Sequence, residues 1–243
     1  MYTEQNRGFT VITNFGCDCN CKYCITKHRP ILQNAVTDKS KIDWKYLEKC
    51  ISESDAPTVN LSGGGDPFYD WQNNIDFYNH VYELSTKYGK KLDIHTRILP
   101  TDIDLIKKFR KIALSIEPYD TKAIERLQAM LPEIEKTTKL RVINVLNERM
   151  TTKDCLDYIK KIHDIGVEQI TFRQMFGNKK AYQNFLKIKD TINIPGVMFL
   201  PDGEYHHYYF TTNNKLYPYF FGYTENDRRV WMKKYEEIEQ YCG

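Results

Sequence analysis

Runs in which apolar and polar residues alternate recur along the chain, and between them lie stretches with apolar residues three or four apart. The alternating runs predict strands over FTVITNF (9–15), TVNLSG (58–63), KLDIHTRI (91–98), KIALSIE (111–117), LRVINVL (140–146) and EQITFRQM (168–175). The other stretches predict helices over 43–54, 73–88, 101–109, 120–131, 152–165 and 179–190. In 73–88 the spacing runs through Ile75, Tyr78, Tyr82, Ser85 and Tyr88. From Thr152 it runs through Leu156, Ile159, Ile162 and Ile165, and Gly166 then suits the left-handed position after a helix. Strand and helix in six alternations imply a parallel sheet with right-handed crossovers. The expected fold is α/β, a partial (β/α)6 barrel over residues 1–190, with a doubly wound open sheet as the alternative. Residues 191–243 read as a C-terminal extension packing on the barrel. It holds a β-hairpin over 205–222 turning at Asn213-Asn214. A closing helix over 225–241 follows, with Trp231, Tyr235 and Ile238 on one stripe, and Cys242 continues that spacing as a packing residue.

The strands carry a second pattern. Val59 and Leu61, Leu92 and Ile94, Ile112, Leu114 and Ile116, Ile143 and Val145, Ile170 and Phe172 share the parity that would face the helices. The opposite parity holds Asn14, Asn60, Ser62, Asp93, His95, Arg97, Ser115, Glu117, Asn144 and Arg173. Parallel strands buried on both faces are ordinarily apolar on both, and unpaired buried polar groups are costly. A polar inner face therefore predicts a lumen that holds a polar ligand.

Composition narrows the classes. The 243 residues carry a net charge of +3, too small to mark a nucleic-acid or membrane-surface binder. No apolar run reaches the roughly 18 residues of a spanning helix, and the first residues lack an apolar signal core. The expectation is a cytoplasmic protein with reduced thiols, where clustered cysteines read as metal ligands or catalytic groups before disulfides.

Four of the seven cysteines fall within NFGCDCNCKYC, directly after the first strand. Cys17, Cys21 and Cys24 form C-x-x-x-C-x-x-C, with Cys19 inside it. Three thiolates on a short loop suit a soft metal or an iron–sulfur cluster. Structural zinc held by the four cysteines, or by three of them with His28, is a second reading, although no second C-x-x-C pair is present. A dithiol redox pair at Cys21 and Cys24 is a third. Cys50 and Cys155 sit in helical stretches as packing residues.

The motif resembles that of the radical S-adenosylmethionine enzymes, C-x-x-x-C-x-Φ-C with Φ aromatic, here Tyr23. A second motif of that family, Gly-Gly-Glu-Pro-like at the end of the second strand, is matched by Ser62-Gly63-Gly64-Gly65-Asp66-Pro67, with Asp66 where Glu is usual. The resemblance covers about residues 8–176. It implies a [4Fe-4S] cluster on Cys17, Cys21 and Cys24 and S-adenosylmethionine against Tyr23, Ser62, Gly63, Gly64, Gly65 and Asp66. It further implies ribose and carboxylate contacts from Ser115, Glu117 and Asn144. The implied reaction is one-electron cleavage of S-adenosylmethionine to methionine and a 5′-deoxyadenosyl radical, which removes hydrogen from substrate. A flavodoxin- or ferredoxin-type electron donor follows from it. Asp93, His95, Arg97, Arg173 and Gln174 are left as candidates to face a small polar metabolite or nucleotide. A glycyl-radical-activating or peptide-modifying enzyme is the competing member, and a zinc-binding interaction protein the non-enzyme alternative. Cys19 reads as a spare thiol, against a hydrogen donor or alternative ligand. Lys27, His28 and Arg29 read as a solvated charge run.

Overall fold

The computed structural model describes residues 8–19, 21, 23, 24, 26, 39–175, 178–201, 207–211, 213–217 and 226. The six alternating runs form strands: β1 (Gly8–Thr13), β2 (Thr58–Gly63), β3 (Lys91–Thr96), β4 (Lys111–Ser115), β5 (Lys139–Leu146) and β6 (Gln169–Gln174). Between them lie α1 (Trp44–Glu53), α2 (Ile75–Lys87), α3 (Ile103–Ile106), α4 (Thr121–Ile134), α5 (Thr152–Asp164) and, after β6, α6 (Lys179–Lys189). Short polar residues set five of the helix starts. Asp43, Asp102, Asp120 and Asn178 each accept from a backbone N–H of the first turn, and Thr151 forms a reciprocal capping box with Asp154.

All six strands pair in parallel in chain order, and the sheet extends past them at both edges. β7 (Val197–Leu200) pairs in parallel with β6. β8 (His207–Thr211) pairs in parallel with β1, and β9 (Lys215–Tyr217) turns back antiparallel on β8. Among the described residues this makes one open nine-stranded sheet with β7 and β9 at its edges. The Asn213-Asn214 turn stands as expected, with Asn214 in the left-handed region at φ 62°. Asn214 accepts from the Asp43 N–H at 2.7 Å and donates to the Lys41 carbonyl at 2.8 Å, so the hairpin is fastened beside the start of α1. The expected closing helix over 225–241, Cys242 and Lys27 to Arg29 lie outside the described residues, Asn226 apart. No helix of the described residues is long and apolar enough to cross a membrane.

The core lies between the sheet and the helices. Val59, Leu61, Ile94, Ile112, Ile170 and Phe172 are buried in it, the parity read from the sequence, together with Phe9 and Val11 of β1. Cys50 and Cys155 are core residues. Two helical stripes are shifted from expectation. α2 buries Phe77, Tyr78, Val81, Leu84 and Ser85 and leaves Tyr82 exposed. α5 buries Cys155, Tyr158, Ile159 and Ile162 and leaves Leu156 exposed. The helix expected to stop at 131 continues through Pro132 to Ile134.

Strand β5 faces the other way from the sequence reading. Leu140, Val142 and Leu146 enter the helix-side core. In a parallel sheet, register partners point to the same side, and Ile143 sits beside the inward Ser115, Val145 beside Arg173. Asn144 therefore points to the helices. Both parities of LRVINVL are apolar, so alternation alone leaves its facing undecided, and the bulkier leucine set takes the helix side.

Asp93 also departs from its expected place near substrate. It faces inward at the start of β3, at the opposite end of the sheet from the cysteine loop, and is only 2% exposed. Arg110 holds it through both nitrogens of a bidentate pair, Nε to Oδ1 at 2.9 Å, and Lys111 stands 3.6 Å away. Burial pushes the Lys111 ammonium below its usual range, with Asp93 opposing and Arg141 and Arg110 adding to the shift. Asp93 is thus structural. Asp93→Ala is expected to destabilise the fold by about 3 kcal/mol, the scale for removing one partner of a buried ion pair. Thermal unfolding checks this, and iron content of reconstituted, folded protein is expected to stay unchanged.

Candidate active site

One cavity of about 250 Å³ opens at the C-terminal ends of β2 to β6, the end where parallel α/β sheets carry their sites. The loop after β1 contributes Cys21, Tyr23, Cys24 and Thr26. The turn after β2 contributes Ser62, Gly63, Gly65, Asp66 and Pro67. Strand ends add His95, Thr96 and Arg97 from β3, Ser115, Ile116 and Glu117 from β4, Ile143 and Val145 from β5, and Arg173 and Gln174 from β6. Two separate sequence motifs and four of the five substrate candidates thus meet in one place.

The two motif loops are fastened backbone to backbone. Gly64 N–H donates to the Thr13 carbonyl at 2.7 Å, and Asp66 N–H to the Gly16 carbonyl at 2.8 Å. This approach is closer than a side chain permits. A Cβ at Gly65 would stand 2.3 Å from the Gly16 oxygen, and one at Gly63 would stand 2.2 Å from the Gly65 oxygen. Gly65 is therefore required by loop-to-loop contact, and Gly64 serves as a backbone donor outside the cavity lining.

Asp66 extends the fastening to β3. Its Oδ1 accepts from Phe68 N–H at 2.9 Å and from Thr96 Oγ1 at 2.6 Å, and its Oδ2 accepts from Arg97 N–H at 2.6 Å. Burial pushes the carboxyl above its usual range despite these three donors. The carboxylate is fully engaged within the protein.

Tyr23 links the cysteine loop to the strands. Its hydroxyl donates to Glu117 Oε1 at 2.7 Å, and Arg97 Nη1 stands 3.5 Å from the same oxygen. Burial, then the Glu117 contact, holds the phenol well above its usual range. Glu117 rests on a firm base, because the Ile116 carbonyl accepts from Asn144 Nδ2 at 3.2 Å and from Tyr158 Oη at 2.9 Å. Asn144 thus supports the cavity wall from behind instead of facing a ligand, a consequence of the reversed β5. Its Oδ1 is buried with no partner among the described residues.

The cysteines divide. Cys21 and Cys24 line the cavity, with Cys24 N–H donating to the Cys21 carbonyl across a tight turn at 3.2 Å. Cys17 is exposed on the outer limb, and Cys19 N–H donates to its sulfur at 3.4 Å. Burial pushes the Cys17 thiol up. Cys19 is pushed up to about 12, first by burial and then by donating to Asp18 Oδ1 at 3.3 Å. Among the described residues only Cys17, Asp18 and Cys19 place donor atoms within 4.8 Å of one another, the spacing that suits a single ion. Cys17, Cys21 and Cys24 are not gathered that closely. A cluster whose ligands sit on different irons needs them farther apart than the four ligands of one zinc at about 2.3 Å. Three thiols on a loop fastened at Gly16 and Tyr23, two of them beside a cavity, fit a thiolate-held iron–sulfur cluster better than a closed zinc site.

Thr26, Thr96, Ile143 and Val145 belong to the cavity and were not read from the sequence. Thr96 had a signal, lying between His95 and Arg97 at a strand end; Ile143 and Val145 were hidden by the ambiguous parity of β5. Gly65→Ala is expected to force the two loops apart, at a cost of about 1–3 kcal/mol. Thermal unfolding together with iron content after reconstitution checks it, with both expected to fall.

No family model matches the chain. Among solved structures it is similar to SuiB of Streptococcus suis bound to its precursor peptide SuiA, at 12% identity and TM-score 0.58 over 87% of this chain and 58% of that one. It is also similar to native anSMEcpe with bound AdoMet and the Cp18Cys peptide, at 12% identity and TM-score 0.57 over 95% of this chain and 80% of that one. The chain thus spans less than two thirds of the length of SuiB. Both neighbours are radical S-adenosylmethionine enzymes, and the chain has the fold of that superfamily, an α/β partial barrel with an open parallel sheet.

Proposed function

We propose that the chain is a radical S-adenosylmethionine enzyme acting on a small polar metabolite or nucleotide. The observation that carries the reading is the convergence of the cysteine loop, the Ser62–Pro67 turn and the ends of β3 to β6 on one cavity. Cys17, Cys21 and Cys24 would hold a [4Fe-4S] cluster, and Cys19, whose sulfur donates to Asp18 instead, would not. Ser62, Gly63, Gly65, Tyr23, Ser115 and Glu117 form the wall beside Cys21 and Cys24, where S-adenosylmethionine would lie; anSMEcpe binds that molecule on the same fold. Cluster and S-adenosylmethionine together would supply one-electron cleavage of the sulfonium and hydrogen abstraction from substrate.

The chain's own contribution is binding, orientation and dryness. Arg97 and Arg173 give the cavity fixed positive charge suited to a carboxylate or phosphate, and His95 and Gln174 add polar contacts. Ile116, Ile143 and Val145 supply an apolar wall that keeps water from the reacting atoms. Peptide modification is the second reading, favoured by the peptides bound to SuiB and anSMEcpe. A flavodoxin- or ferredoxin-type protein is the expected electron donor.

The test is anaerobic reconstitution with iron and sulfide, followed by dithionite and S-adenosylmethionine, with 5′-deoxyadenosine measured. The expected result is a brown protein that forms it. Cys17→Ala, Cys21→Ala and Cys24→Ala are each expected to lose the chromophore and reduce product to background, while Cys19→Ala keeps both. A colourless zinc-loaded protein would overturn the reading, and loss of the chromophore in Cys19→Ala would overturn the ligand assignment.

A further inference from the structure

The loop that carries the cysteines is anchored at two points of different kinds. Its near end is fixed by backbone contact, Gly16 to Asp66. Its far end, the Cys21–Cys24 turn, is tied to the strands by a side-chain contact, Tyr23 Oη to Glu117 Oε1 at 2.7 Å. Between these anchors runs a closed circuit. Asp66 binds the Arg97 N–H, the Arg97 guanidinium faces Glu117, and Glu117 accepts from Tyr23. The strand side of the circuit is rigid, since Ile116 is clamped by Asn144 and Tyr158 on its carbonyl and donates its own N–H to Ile143 at 3.0 Å. The loop is therefore the side free to shift if the circuit opens.

Resting on the proposed iron–sulfur reading, we infer that the Tyr23 hydroxyl is a positioning group for the cluster. By donating to Glu117 it fixes the turn bearing two of the three ligands, a role separate from any contact made by the aromatic ring. Arg97 at 3.5 Å is at the outer limit of a hydrogen bond, so Tyr23 is the nearer partner of Glu117. Its loss leaves a half-buried carboxylate short of a donor and removes a tie between the turn and the strands.

The decisive substitution is Tyr23→Phe, which keeps the ring and removes the hydroxyl. Wild type and variant are reconstituted without S-adenosylmethionine, and iron release to a strong chelator is timed. Release is expected roughly three- to tenfold faster in the variant, the factor that loss of one such hydrogen bond corresponds to. The reduced cluster should also show a changed electron paramagnetic resonance spectrum, which mere loss of global stability would not produce. Glu117→Gln retains an acceptor oxygen and should release iron at nearly the wild-type rate. Glu117→Ala should resemble Tyr23→Phe, and the double variant should be no worse than either alone. Hydrogen exchange over residues 16–26 of the metal-free chain should be faster in Tyr23→Phe. Wild-type release, spectrum and exchange in Tyr23→Phe would overturn the inference. A wild-type protein that takes up no cluster would overturn the enzyme reading instead, and the exchange measurement on metal-free chain would then decide the Tyr23–Glu117 link by itself.

Discussion

The site depends on one buried carboxylate. Asp66 is the point at which the loops after β1 and β2 and the end of β3 are joined, through its own N–H to Gly16 and its side chain to Phe68, Thr96 and Arg97. Removing a carboxylate from water is costly unless donors replace the hydration. Three short contacts do so here, and they can form only in one arrangement of the three segments. The residue expected at this position by family resemblance is Glu. Asp is suited to what this chain does, because its short side chain accepts from the N–H two residues ahead while the same group still reaches the neighbouring strand. Another methylene would displace the carboxylate from the turn it closes.

From that joint, order passes outward in both directions. On one side it meets the cysteine loop, where the absence of side chains at Gly63 and Gly65 permits main-chain contact. On the other it passes through Arg97 to Glu117 and so returns to the same loop at Tyr23. The cavity wall is thus a ring of mutually dependent contacts rather than a set of independent side chains. Such a network is worth more than its pairs taken singly and is sensitive to the loss of any member.

Much of this was legible in the sequence. Alternation located six strands to within a few residues, and apolar spacing of three and four located the helices after them. The cysteine spacing and the Ser62–Pro67 motif identified the loops that meet, because both are local signals. What alternation could not supply was the facing of β5, where LRVINVL is apolar on both sides and only the register with Ser115 and Arg173 decides. Edge strand β7 and the place of the expected hairpin in the sheet were also hidden. β7 is four residues long, and β8 joins β1 across nearly the whole chain, a pairing no local pattern announces. The Tyr23–Glu117 contact spans 94 positions and is invisible for the same reason.

The inner face shows why parity alone does not define a site. Asp93, His95 and Arg97 follow one another on the same side of β3, yet they have separate fates. Depth along the strand divides them. At the lower end, Asp93 lies in register with Lys111 and within reach of Arg110, the residue that leads into β4, so its charge is neutralised by the neighbouring strand's beginning. At the upper end β3 pairs as far as Thr96, and Arg97 projects past the ladder, where the loops supply its neighbours. Asp93, deep in the ladder, is answered by the adjacent strand and contributes to folding. His95 and Arg97, nearer the strand's end, face the cavity the loops enclose. The polar inner face of β3 therefore carries a structural ion pair beneath cavity-lining residues.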